Sequence, residues 1–190
     1  KVYWLKVYQI PVASRVAKGR PLINLINLDE GERITSLLNV ESFEEPGFVF
    51  MATKKGVVKK TSLEEFKRQW KVGKRAIKLD PDDELVGSTL TDGEKFIMLV
   101  SQSGKAVFFD EKEARSMGRA ARGVKGINLG KDDQVISLLV PEKENTIFTV
   151  SENGYGKRTN VDDFRKTRRG AKGVIAMQTS DRNGLLIGAN

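Results

Sequence analysis

Four stretches of the chain carry residue types that could do chemistry, and each sets lysine and arginine beside glycine. They are Arg15–Leu25 (R-V-A-K-G-R-P-L-I-N-L), Lys67–Leu79 (K-R-Q-W-K-V-G-K-R-A-I-K-L), Arg115–Leu129 (R-S-M-G-R-A-A-R-G-V-K-G-I-N-L) and Arg165–Met177 (R-K-T-R-R-G-A-K-G-V-I-A-M). Their basic windows, 15–20, 67–75, 115–125 and 165–172, hold 17 of the 33 lysines and arginines within 34 residues that contain no Asp or Glu. Charges that merely solvate a surface come in mixed signs, whereas sign-pure loops that return at intervals build a positive field for a polyanion. Glycine lets the main chain approach such a ligand closely, so backbone N–H groups can join the cations in donating to phosphate oxygens. The candidate contacts are Arg15, Lys18 and Arg20 in the first turn and Lys71, Lys74 and Arg75 in the second. The third turn adds Arg119, Arg122 and Lys125, and the fourth adds Arg168, Arg169 and Lys172.

Other chemistries find little material. Histidine and cysteine are absent, which removes thiolate or imidazole zinc sites, disulfides and a histidine base. Paired carboxylates occur only in turns, where solvation accounts for them. The densest, Asp80-Pro81-Asp82-Asp83-Glu84, lacks the alternate-position oxygen ligands and distant glutamate of an EF-hand loop. None of the glycine-rich turns reads G-x-x-x-x-G-K-[ST], so a Walker loop is excluded. Trp70, inside the second basic turn, is read as a core anchor, with base stacking or phosphate flanking as the functional alternative.

The elements that must position the basic turns repeat with them. Phe48–Thr53, a Lys54-Lys55-Gly56 turn and Val57–Thr61 read as a β-hairpin. The pattern returns as Lys95–Val100, Gln102-Ser103-Gly104 and Lys105–Phe109, and again as Asn145–Val150, Glu152-Asn153-Gly154 and Tyr155–Thr159. Glycine at the end of each turn suits a positive φ. A short acidic piece follows each hairpin (Ser62–Phe66, Glu111–Ala114, Val161–Phe164) and is expected to form one helical turn. Then come the basic turn, a strand, an acidic turn and a further strand such as Leu85–Leu90 or Val135–Val140. In the first repeat, Lys1–Tyr8, Pro21–Leu28 and Ile34–Val40 are likewise expected to be strands.

Four strands per period of about 50 residues indicate an all-β array of propeller-like blades, each burying its neighbour's sheet face. The approximate blade units are 1–46 (partial), 47–94, 95–144 and 145–190. No Gly-His or Trp-Asp occurs, which argues against the WD40 variety. The length suffices for a real core, and the net charge of +8 favours an anionic partner. No apolar run reaches the roughly 18 residues of a membrane span, and no signal peptide is evident. A cytoplasmic protein without a membrane partner is therefore expected. The chain begins without methionine inside a β pattern, which reads as a piece of something longer.

The same residues carry a family resemblance. Thr167–Gly173 (T-R-R-G-A-K-G) is similar to the Q-R-R-G-G-K-G box of the DNA gyrase A protein. K-V-Y-Q-I-P at Lys6–Pro11, F-M-A-T at Phe50–Thr53, G-V-V-K-K-T at Gly56–Thr61, N-G-Y-G-K-R-T at Asn153–Thr159 and R-G-A-K-G-V-I at Arg169–Ile175 resemble that protein's C-terminal domain. The resemblance implies a β-pinwheel, a propeller-like disc or arc with strands exchanged between neighbouring blades. It implies that the domain binds duplex DNA without sequence preference and wraps it around its rim, supporting ATP-dependent negative supercoiling by a type II topoisomerase of the bacterial cytoplasm and nucleoid. Implied partners are the remainder of the gyrase A protein and the ATPase gyrase B protein in a heterotetramer. No cofactor is implied here, ATP and Mg belonging to other domains or subunits.

The family's box normally lies in the first blade, so Thr167–Gly173 is expected to be a later copy. The catalytic tyrosine belongs to another domain, and Tyr3, Tyr8 and Tyr155 are not assigned that role. Two alternatives stand beside this reading. One is the related domain of the topoisomerase IV A protein, which guides DNA without strong wrapping; the other is a propeller that binds acidic protein partners through the same rim.

Overall fold

Residues 48–62 set the pattern of the whole chain. Apolar and β-branched residues favour extended backbone on either side of Lys54-Lys55-Gly56. The chain reverses there because Gly56, at φ 79°, takes a left-handed conformation while its N–H donates to the Thr53 carbonyl at 2.9 Å. Gly104 (φ 83°) and Gly154 (φ 79°) close the next two hairpins the same way, onto Ser101 and Ser151. The computed structural model describes residues 1–70 and 72–190, and in it the chain is an all-β pinwheel. Its strands are β1 (Phe48–Thr53), β2 (Val57–Ser62), β3 (Leu85–Thr91), β4 (Phe96–Ser101), β5 (Lys105–Asp110) and β6 (Val124–Lys125), followed by β7 (Val135–Leu139), β8 (Thr146–Ser151), β9 (Gly156–Asn160), β10 (Val174–Ile175) and β11 (Leu186–Ala189). The acidic pieces form single 3-10 turns at Leu63–Phe66, Glu111–Glu113 and Val161–Asp163. Among the described residues no helix is long and apolar enough to cross a membrane.

The strands form three antiparallel sheets in the orders β3-β1-β2-β6, β10-β5-β4-β7 and β11-β8-β9. Hairpins β1–β2 and β4–β5 supply the centres of the first two sheets and β8–β9 one side of the third, and β3, β7 and β11 return from the same repeat onto the first strand of each hairpin. The outer strand is exchanged. Val124 and Lys125, from the third basic stretch, pair with Val58 and Val57, and Val174 and Ile175, from the fourth, pair with Ala106 and Lys105. An isolated bridge between Val2 and Lys74 repeats the arrangement one step earlier.

Alternation along the strands explains how the sheets stack. In β4, Ile97 and Leu99 point into a cluster with Phe50, Ala52 and Val58 of the first sheet. Met98 and Val100 point the other way, to Ile147, Val161, Phe164 and Leu186. A central strand is thus buried on both faces, and each fully buried side chain contributes roughly 1.5–3 kcal/mol. Val49, Met51 and Phe66 face a third cluster that takes in Val2, Trp4, Leu38 and Val40. Glu111 is fully buried between the first two sheets. Its carboxylate accepts from Thr91 Oγ1 (2.8 Å), Gly93 N (3.1 Å) and Lys95 N (2.8 Å), with the Lys60 ammonium 3.7 Å away.

The first repeat departs from expectation. Lys1–Tyr8 makes only the Val2 bridge and then a 3-10 turn at Val7–Gln9, Pro21–Leu28 holds a 3-10 turn at Leu22–Asn24, and Ile34–Val40 forms no strand. A strand needs a partner edge that offers N–H and C=O groups in register, and among the described residues no hairpin stands beside these segments. The 34–40 segment instead lies against the first sheet, with Leu38 and Val40 packed on its core and Ser36 Oγ donating to Ser88 O at 3.1 Å.

Candidate nucleic-acid interface

The third and fourth basic turns each lie between an acidic 3-10 turn and an exchanged strand, and the second lies between the Leu63–Phe66 turn and the Val2–Lys74 bridge, so both ends of these three are tied down. Gly73, Gly123 and Gly173, at φ 71°, 111° and 82°, occupy the same place just before the exchanged segment. A Cβ at Gly123 would stand 2.5 Å from the Val58 carbonyl oxygen, and one at Gly173 2.5 Å from that of Ala106. Glycine is therefore required for the turn to meet the neighbouring sheet. The turns are also bonded to one another in series. Lys78 N donates to Ala121 O (3.1 Å), Gly170 N to Gly126 O (2.7 Å) and Asn128 N to Ala171 O (2.8 Å). The second, third and fourth turns consequently stand side by side along one rim. The first turn closes on itself, Ala17 N to Ser14 O at 3.1 Å, and among the described residues it has no backbone bond to the others.

The side chains divide into two kinds. Arg75, Lys125, Arg168 and Lys172 are exposed, as are Arg15, Lys18 and Arg20 in the first turn. None of them has an acidic ion-pair partner among the described residues. Arg119 and Arg169, each four residues before its glycine, turn inward instead. Arg119 Nη1 donates to Glu65 O at 2.9 Å and its Nε lies 3.6 Å from the Glu65 carboxylate. Arg169 donates from Nε to Glu113 O (3.0 Å) and from Nη1 to Lys125 O (2.6 Å), while its backbone N–H reaches the Glu113 carboxylate at 2.9 Å. Both staple a turn to the preceding repeat. Arg122 is exposed but paired with Asp80. Lys74 is half-buried, and loss of hydration lowers its pKa, with Arg119 and Arg68 adding to the effect. Lys71 lies outside the described residues.

Two features escaped the sequence reading. Lys59, fully buried in β2, donates from Nζ to Ala76 O and Arg119 O, both at 2.6 Å, and so joins the second turn to the third. Burial pushes its pKa down to about 8, and the Arg119 charge acts in the same direction. The signal available was its register opposite Met51 in the hairpin, on a strand face that faces an apolar cluster. The second feature corrects the solvated reading of the acidic turns. The carboxylate of Asp83, itself buried, accepts from Lys55 N and Glu84 N at 2.9 Å each. That of Asp133 accepts from Ser103 N (2.9 Å), Gln134 N (2.9 Å) and Ser103 Oγ (2.6 Å). These carboxylates hold the hairpin turns. Trp70 also differs from the core reading, being 44% exposed.

A family model described as DNA gyrase C-terminal domain, beta-propeller, matches residues 1–41, 47–92, 95–142 and 145–190. The chain belongs to that family. It is 51% identical over 189 residues to the DNA gyrase A protein of Escherichia coli (strain K12), covering 100% of this chain and 22% of the relative. It is 52% identical over 126 residues to the Haemophilus influenzae gyrase A protein, covering 66% and 14%. The chain thus spans about a fifth or less of the length of these relatives. Among solved structures, the C-terminal domain of DNA topoisomerase IV superposes with a TM-score of 0.84 at 32% identity, over 90% of this chain and 54% of that one. A DNA gyrase A C-terminal domain gives 0.80 at 25% identity, over 92% and 58%. In this gyrase-type pinwheel, the box-like Thr167–Gly173 forms the fourth turn of the rim. Thr167 fastens it by accepting from Phe108 N at 3.1 Å and donating its own N–H to Phe108 O at 2.7 Å.

Proposed function

We propose that this domain binds duplex DNA along the rim made by its basic turns and bends it there, independently of sequence, to support negative supercoiling by a type II topoisomerase. The observation that carries the reading is the serial bonding of the second, third and fourth turns, which gives their exposed cations one continuous line. Phosphates on a curved duplex can follow that line without any base edge being read. Bending a 20–30 bp site by 40–90° costs about 1–6 kcal/mol, which several phosphate contacts offset. ATP and Mg act on other domains or subunits in this reading. The domain's partners are DNA, the rest of the gyrase A protein and the ATPase gyrase B protein, in the bacterial cytoplasm at the nucleoid.

Salt dependence tests it. If each of the three linked turns neutralises about two phosphates, the slope of log K against log salt is near −5, and engagement of the first turn steepens it to about −7. A slope shallower than about −2, or preference for an acidic polypeptide over duplex in competition, would remove the DNA rim. The likeness to the topoisomerase IV domain favours a second reading, in which DNA is guided with little wrapping. Ligating nicked circles in the presence of the protein separates the two, because wrapping changes the linking number of the products and guiding leaves it unaltered.

A further inference from the structure

The second basic turn is built differently from the other two that it stands beside. Counted back from the shared glycine, Val72 replaces the cations Arg122 and Lys172, and Trp70 replaces the small residues Ala120 and Gly170. Both substituted side chains are left in the open, Trp70 44% and Val72 70% exposed. The other tryptophan, Trp4, is tucked against the first sheet with its indole N–H on Phe66 O at 3.1 Å. Cations lie over the Trp70 ring, the Arg68 guanidinium 4.7 Å and the Lys74 ammonium 5.7 Å from its centroid. Trp70 and Val72, with Lys71 between them in sequence and Arg68 and Lys74 on either side, sit in line with phosphate-type turns, since Lys78 N joins this turn to Ala121 O of the next.

Resting on the DNA-rim reading, we propose that Trp70, supported by Val72, is a wedge that presses into one base step of the bound duplex while Arg68 and Lys74 hold the phosphates beside it. Apolar side chains that partly unstack a step kink the duplex and let it wrap more protein surface. Their cost is lowest at pyrimidine–purine steps, which unstack easily, and highest in stiff A-tracts. A rim that otherwise reads no base then acquires a preference for deformable steps at one position. The exposed ring is the specificity-determining group, and the flanking cations position the DNA against it.

The test compares two labelled duplexes of about 30 bp and equal base composition, one with TA steps spaced at the helical repeat and one with the same bases in A-tracts. Wild-type protein favours the TA duplex by roughly tenfold, W70A binds the two alike and W70F keeps part of the preference. The salt slope stays the same in all three, because the ring carries no charge. Emission of the wild type changes on adding DNA, whereas W70F, which reports Trp4 alone, does not respond. Melting curves confirm that W70A is folded, as expected for an exposed side chain. Retention of the full step preference by W70A, or unaltered wild-type emission at saturating duplex, overturns the wedge while leaving the rim intact. The second outcome would assign the tip to a protein partner. Failure of the wild type to bind either duplex overturns the rim and the wedge together.

Discussion

The two kinds of rim arginine should separate cleanly on mutation. In the fourth turn, Arg169 spends two guanidinium donors on Glu113 O and Lys125 O, whereas Arg168 and Lys172 are exposed and without an acidic partner among the described residues. A hydrogen bond from a charged donor contributes about 1.5–3 kcal/mol when buried. These two bonds are solvent-accessible, which reduces the expected cost of R169A to about 1–2 kcal/mol in all. For a chain of this size that is about 2–8 °C in Tm. The R168A/K172A pair removes two exposed charges without a side-chain hydrogen bond or ion pair among the described residues, so its Tm should stay within about 2 °C of wild type. Its salt slope for a 25 bp duplex should shrink by about 1.8, against little change for R169A. Thermal unfolding by circular dichroism and anisotropy titrations at four or more salt concentrations measure both quantities. If R169A melts like wild type and loses slope as R168A/K172A does, the staple does not exist and Arg169 is an ordinary rim cation. The converse, a large Tm loss in R168A/K172A, would show that the exposed pair has contacts the geometry lacks.

Further outcomes follow from the same structure. Lys59 is held at a pKa of about 8, below its unfolded value, so between pH 8 and about 10.5 this side chain binds more proton in the unfolded chain and its contribution to stability rises with pH. Relative to K59M, which cannot titrate, urea unfolding should show wild type gaining ground across that window, and a constant difference would contradict the buried-amine assignment. D133A removes two bonds to Ser103 that hold the Ser101–Lys105 hairpin turn and one local bond from Gln134 N, and should cost about 2 kcal/mol in chemical unfolding, with the DNA salt slope unchanged. G104A should destabilise far more than G154A. Both need a left-handed residue, costing about 1–2 kcal/mol, but the Cβ at 104 would fall 2.0 Å from Met177 O while that at 154 meets nothing within 4 Å. Equal melting temperatures for the two variants would contradict that packing.

Much of this architecture can be read from local sequence. The hairpins, their positive-φ glycines, the acidic 3-10 turns and the sign-pure basic turns are short-range features. Each is decided by residues within a few positions of one another, through strand propensity, the freedom of glycine at φ > 0 and the absence of carboxylates. What the tertiary structure alone decided lies between repeats. Val124–Lys125 and Val174–Ile175 are two-residue strands without a periodicity of their own, and they become strands because the free edges of β2 and β5 offer backbone groups in register. Segments 21–28 and 34–40 have similar composition but lack such an edge, and remain outside any sheet. The same holds for the charges. Arg119 and Arg168 look alike in sequence, yet one reaches the Glu65 carbonyl of the preceding repeat and the other is exposed, with no side-chain hydrogen bond or ion pair among the described residues. Lys59 is drawn inward because both faces of its strand are covered. Whether a cation is a staple or a free contact depends on which carbonyl oxygens the stacking of repeats brings within about 3 Å of it, and that distance is set only when the sheets pack.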